Sequence, residues 1–145
     1  MNNKISTISA TDARKDWSQL LDTVVRDKPQ IIKRTRDYVF ITEIHMMEDI
    51  LSGYSFTAEK YIEEDNSVTL SLNEMDLVAN GITEKDAKQN LAGEISEYAE
   101  EFYEDFHYWS STPNRKKHIP YVFKALILDD IEKIGEEIKC QVGKN

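Results

Sequence analysis

The spacing of apolar residues changes period several times along the chain, and each change marks an element. Lys4–Ser9 is a short β-branched stretch and reads as a strand. Ser9 suits a helix N-cap, with Asp12 placed where a carboxylate favours the helix N-terminus. Ala13, Trp17, Leu20, Leu21, Val24 and Val25 follow at three-and-four spacing, which predicts one amphipathic helix ended by Asp27-Lys28-Pro29. Gln30–Arg34 and Tyr38–Ile44 are β-rich runs on either side of Thr35-Arg36-Asp37, the pattern of a hairpin. Asp37 tolerates turn conformations, although no glycine is present there. Met46–Leu51 reads as a short helix, closed by Ser52-Gly53.

The second half has its own pattern. Tyr54–Ile62 and Ser67–Leu72 are strand-like and are joined by Glu63-Glu64-Asp65-Asn66, a hairpin turn; Met75–Ala79 is a candidate third strand, stopped by Asn80-Gly81. Thr83 then caps the clearest helix, whose stripe is Ala87, Leu91, Ile95, Tyr98, Ala99, Phe102 and Phe106. Ser110–Asn114 breaks it. Tyr121–Leu128 is a strand or a buried segment, which periodicity alone does not decide, and Ile131, Ile134 and Ile138 predict a terminal helix. The order β-α-β-β-α, then β-β-(β)-α-β-α, gives the fold class α+β in two units: residues 1–53, and a second small α+β domain with one long helix over 54–145.

Composition narrows the class. With 145 residues, 40% hydrophobic and 31% charged, the chain has an ordinary core-forming makeup. A first unit of about 50 residues would be marginal alone, which favours pairing with a second copy. No run is long and apolar enough to span a membrane and the first residues show no signal segment, so no membrane partner and a cytoplasmic location are expected. The single cysteine, Cys140, lies in a polar tail and reads as an incidental thiol. The net charge of −9 argues against nucleic acid until its distribution is considered. Residues 1–45 carry eight Lys or Arg against six acids, a balance of +2, while the remainder stands at −11.

The run Ile8-Ser-Ala-Thr-Asp-Ala-Arg-Lys-Asp-Trp-Ser-Gln-Leu-Leu-Asp22, followed by Pro29-Gln-Ile-Ile-Lys-Arg34 and Val39-Phe-Ile41, resembles the Phd/YefM-type antitoxins. Strand, Ser/Thr cap, Ala-Arg pair, Leu-Leu helix and Ile-x-Arg strand occur in the family's order over about a third of the chain. The resemblance implies a β-α-β-β-α DNA-binding and dimerisation domain. It places Arg14 and Arg34 among the DNA contacts, and Lys33 and Arg36 join them at the same loop tip. Arginine suits the role, since its planar fork of donors matches phosphates and guanine edges. The partners implied are operator DNA, a second copy of the chain (homodimer) and a cognate toxin protein. Two departures stand out. The family's hairpin usually carries glycine, and its usual short flexible toxin-binding segment is replaced here by about 90 residues with apolar periodicity. That second half is similar to the HicB-type antitoxin domain in its order of strands and its Gly81-Ile-Thr-Glu-Lys-Asp-Ala-Lys-Gln-Asn-Leu91 step into a long helix.

Beyond the basic group, Tyr103, Tyr108 and Trp109 are candidate toxin-binding anchors, because amphipathic aromatics are typical of interfaces, whereas helical spacing assigns Tyr98, Phe102 and Phe106 to the core. Arg115-Lys116-Lys117-His118 reads as a loop after Pro113 that balances neighbouring acids. His45, His107 and His118 have no partner at metal spacing, and Glu94, Glu97, Glu100, Glu101, Glu104 and Asp105 spread over a solvated helix face. No phosphate loop or nucleophile signature is present, so no catalytic residue, metal or cofactor is expected. The chain reads as an autoregulating antitoxin of a type II system rather than an enzyme. The alternative is a dimeric protein-interaction module or a stand-alone transcriptional regulator without a toxin partner.

Overall fold

The computed structural model describes residues 5–143 and divides the chain into two compact units, Met1–Ile50 and Leu51–Asn145. The expected strand start at Lys4 lies outside the described residues. The architecture is α+β.

In the first unit Ser9 ends β1 (Thr7–Ser9), and its hydroxyl accepts a hydrogen bond of 3.1 Å from the Asp12 N–H, opening α1 (Ala10–Lys15) as the sequence pattern requires. The helix does not continue unbroken. Asp16, at φ −118° and ψ 45°, leaves the helical region, and α2 (Trp17–Arg26) starts afresh beyond it. The strands β2 (Gln30–Arg34) and β3 (Asp37–Ile41) complete a three-stranded sheet in the order β1-β2-β3, parallel between the first pair and antiparallel between the second. β3 stops at Ile41, and α3 (Ile44–Ile50) follows, capped by Glu43, whose carboxylate accepts from the N–H groups of His45 and Met46.

The hairpin loop holds only Thr35 and Arg36, because Arg34 pairs with Asp37 across it. Thr35 has φ 57°, in the left-handed region that a β-branched residue enters at a cost. The missing glycine thus leaves local strain at the loop tip and does not change its length.

The expected single apolar face of the first helix is only half used. Ala13, Leu20 and Val24 are buried with Ile32, whereas Trp17, Leu21 and Val25 are exposed. The apolar arc is wider than the area a three-stranded sheet covers. Four buried side chains make a small core for this unit.

The second unit begins with a 3-10 turn at Leu51–Gly53 and a meander of β4 (Phe56–Ile62), β5 (Val68–Leu72) and β6 (Val78–Gly81). Thr83 caps α4 (Glu84–Glu104), its hydroxyl accepting from Asp86 N–H at 3.1 Å. α5 (Phe106–Ser110), α6 (Pro113–Lys116), α7 (Ile119–Leu128), α8 (Ile131–Glu137) and β7 (Ile138–Val142) complete it. The sheet order is β6-β5-β4-β7, with β7 parallel to β4. One face of this sheet (Phe56, Ala58, Leu70, Leu72, Ile138) packs with Ala87, Leu91, Ile95, Ala99 and Phe102 of α4 and with Val122 and Ala125 of α7. At Gly81 the strand approaches α4 so closely that a Cβ there would lie 2.7 Å from the carbonyl carbon of Asp86 and 2.8 Å from the Cα of Ala87.

Four details depart from the sequence pattern. The third strand begins at Val78 rather than Met75, and Asn80 and Gly81, expected to stop it, are part of it, paired with Thr69 and Val68. The run Tyr121–Leu128, open between strand and buried segment, is helical, started by Pro120 and ended by Asp129 in a left-handed conformation. Ile138 does not extend the terminal helix: it begins β7, opposite Phe56. Phe106 lies in α5, because α4 gives out at Asp105.

Candidate functional site

Two surfaces, one in each unit, gather the residues singled out by sequence. In the first unit, β1 and β2 run side by side with Ser9 opposite Lys33, so the start of α1 lies beside the end of β2. Arg14, Lys33 and Arg34 thereby line one open groove together with Ser9, Ala10, Thr11 and Thr35. Arg36, in the loop, is exposed but is not part of that lining. Among the described residues no carboxylate pairs with Arg14, Lys33, Arg34 or Arg36, and the Lys33 ammonium stands 5.8 Å from the centroid of the Tyr38 ring. The groove therefore presents positive charge free of ion pairs beside three hydroxyls, those of Ser9, Thr11 and Thr35. That arrangement suits an anionic backbone and leaves donors free to reach it. Pattern reasoning had the arginines and missed the hydroxyls; Thr35 follows Arg34 directly, whereas Ser9 and Thr11 are brought alongside by the β1–β2 register.

In the second unit Tyr103 and Tyr108 are exposed and Trp109 is half-buried. Tyr103 is apart from the touching pair Tyr108–Trp109, but the three end one continuous run of side chains. Tyr103 meets Phe123 at 6.2 Å, Phe123 meets Phe106 at 5.6 Å, Phe106 meets Phe102 at 5.7 Å, and Phe102 meets Tyr98 at 6.0 Å. Arg115 continues it, with its guanidinium carbon 5.5 Å from the Tyr98 ring and 4.8 Å from the Trp109 ring, and Trp109 meets Tyr108 edge-on at 4.9 Å. Phe102 is fully buried, and Tyr98 and Phe106 pack against the core, as their helical spacing suggested. Glu100, Glu101, Glu104 and Asp105 are exposed along the same stretch of chain.

The basic run at 115–118 is a correction: Arg115 and Lys116 belong to α6 rather than to a loop. The run's first and last members face inward, and among the described residues neither forms an ion pair. Arg115 Nη1 donates to the Tyr98 hydroxyl at 3.1 Å, and that hydroxyl lies 2.6 Å from Nδ1 of His118. His118 is only 3% exposed. Burial, reinforced by the charges of Arg115 and Lys117 and opposed by Asp76, holds the His118 imidazole below its ordinary range. No sequence signal links Tyr98 to residues 115–118. Cys140 is half-buried, and burial pushes its thiol up, the opposite of an activated nucleophile. Among the described residues no group of three His, Cys, Asp or Glu side chains is placed to hold a metal, and no helix is long and apolar enough to cross a membrane.

Residues 4–140 match a PHD-like family model described as antitoxin of toxin–antitoxin, RelE/RelB, TA system. A crystal structure from Syntrophomonas wolfei subsp. wolfei, described as an antitoxin part of a proposed toxin/antitoxin system, is 34% identical to this chain, with a TM-score of 0.91 over 96% of this chain and 100% of that one. Among curated proteins, none matches.

Proposed function

The chain belongs to this family of antitoxins from RelE/RelB toxin–antitoxin systems, and within that role we propose that it binds operator DNA as a dimer and neutralises its toxin through a folded second unit. Residues 1–53 carry pairing and DNA contact, in the Phd/YefM manner, and residues 54–145 carry the toxin contact, with a HicB-like arrangement of strands and long helix.

The observation that carries the DNA reading is the convergence of Arg14, Lys33 and Arg34 on one groove, none of them in an ion pair with a carboxylate of the described residues. Arg36 reaches the same phosphate backbone from the loop tip. The exposed apolar residues Trp17, Leu21 and Val25 support pairing, since a small unit with a thin core gains most by covering such a stripe with its own copy. In the second unit, Tyr103, Tyr108 and Trp109 supply rigid amphipathic anchors among exposed acids. That combination fits a basic partner surface.

The test is a mobility shift with the palindromic DNA upstream of the chain's own gene, repeated over a salt series. Binding weakens as salt rises, and Arg14→Ala or Arg34→Ala lowers affinity at every salt and reduces the log–log slope by about one phosphate contact each. Unchanged binding in both variants removes these residues from the interface. Absence of salt-dependent binding in the parent protein favours a dimeric interaction module instead.

A further inference from the structure

The ring run in the second unit contains one polar joint, half-buried at Tyr98 and Arg115 and buried at His118. Arg115 can only donate hydrogen bonds, so the Tyr98 hydroxyl accepts from it; with His118 neutral and its proton assigned to Nε2, the same hydroxyl donates to Nδ1. Arg115 in turn lies against the face of Trp109. Three elements thus meet at one guanidinium: α4 through Tyr98, α5 through Trp109, and the turn leading into α7 through His118.

We propose that Arg115 is the positioning residue of the aromatic partner face, fixing Trp109 through the Tyr98–His118 pair, and that a proton taken up by His118 releases it. This rests on the reading of Trp109 as a partner anchor. A proton from solvent added at Nδ1 makes the imidazole a second donor toward the Tyr98 oxygen and leaves the Tyr98 proton without its acceptor. It also places a buried cation near the half-buried Arg115 guanidinium. Of the other charged groups facing His118, Lys117 adds to the repulsion and Asp76 opposes it. The strain is relieved at the weakest element. His118 precedes α7, whose Val122 and Ala125 are locked in the core, whereas Arg115 sits on the four-residue α6, which has no buried residue. Arg115 therefore moves, and the Trp109 ring loses its stacking partner.

The two tryptophans of the full chain, Trp17 and Trp109, give the readout together with its control. Their indole N–H resonances are assigned with Trp17→Phe and followed with the His118 ring resonances from about pH 8 to about pH 5. The Trp109 signal is expected to move with the His118 midpoint while Trp17 stays still. In Arg115→Ala, His118 titrates at a higher pH because a neighbouring cation is gone, and Trp109 no longer follows it. In His118→Gln, which keeps an acceptor for Tyr98 and cannot be charged, the Trp109 signal is flat across the range. If that variant does not fold, Arg115→Ala alone decides. A Trp109 resonance that stays fixed while His118 titrates overturns the proposal, as does one that moves only with loss of helical circular dichroism. The titration needs no partner, so its failure leaves the anchor reading standing. Failure of that reading is seen separately, as toxin capture undiminished by Trp109→Ala.

Discussion

Replacing Leu21 by serine tests the proposed pairing surface. Leu21 is 40% exposed in the chain, between Trp17 at 49% and Val25 at 64%, one helical turn apart on α2. Full burial of such side chains stabilises by roughly 1.5–3 kcal/mol each, so covering the portion still open contributes about 1 kcal/mol per residue. A two-fold interface uses every residue twice. Leu21→Ser therefore removes about 2 kcal/mol from the dimer, a loss of roughly 30-fold in the dissociation constant. Within the single chain the same change also loses the part of the side chain already covered, about 1 kcal/mol or somewhat more. Sedimentation velocity over a wide concentration range separates the two effects: the monomer–dimer midpoint reads the loss at the interface, and the thermal midpoint of dilute protein reads the loss within the chain. A parent protein that stays monomeric at high micromolar concentration would refute the reasoning outright, and an unshifted midpoint in the variant would take α2 out of the interface.

Two further outcomes follow from the second unit. Gly81→Ala forces a Cβ against backbone atoms of Asp86 and Ala87, which no side-chain rotation can relieve; a loss of about 3 kcal/mol in urea unfolding is expected, and a neutral result would mean that β6 and α4 separate easily. Acid lability follows from His118, whose folded-state pKa lies below its ordinary 6.5. The unfolded chain then binds the proton more tightly, so this stability is complete above about pH 6.5 and falls as pH drops through that value, by at most ~1.4 kcal/mol per unit. Thermal melts in steps from neutral to about pH 5, with His118→Gln flattening the trend, check the sign.

What the sequence disclosed was local. The caps Ser9 and Thr83 were legible because each hydrogen bond closes within three residues, and the stripe of α4 because one helix face meets one sheet face. Residues 121–128 were ambiguous for the opposite reason: a short run that is apolar nearly all round has no period to read, and only Pro120 and Asp129 mark it as a helix. β7 was hidden because Ile138 keeps the spacing of Ile131 and Ile134, although its partner is Phe56, far back in the chain. The same limit governs the surfaces. Arg14 and Arg34 belong to recognisable runs, but the groove they share depends on the pairing of Ser9 with Lys33. Tyr98, Trp109, Arg115 and His118 come from separate elements of one unit, and nothing in their spacing announces that they meet.

The folded second unit changes what toxin recognition must cost. A segment that orders on binding gives up conformational entropy for every residue it fixes, of the order of 1–2 kcal/mol of backbone alone. Here Phe56, Leu70, Leu91, Ile95, Phe102 and Ile138 are already buried in a core of their own, so the proposed anchors Tyr103 and Trp109 are held in place before any partner arrives. Affinity then depends on a few preset aromatic contacts, and speed on charge, because residues 46–145 carry −11 against the +2 of the head. Both contacts weaken in salt, but by different routes. DNA binding loses its counterion-release term and falls in equilibrium affinity, whereas a preformed aromatic interface loses mainly association rate and keeps its lifetime. Equilibrium and kinetic salt dependences measured on the same protein therefore distinguish a toxin held by a folded face from one wrapped by a segment that folds on contact.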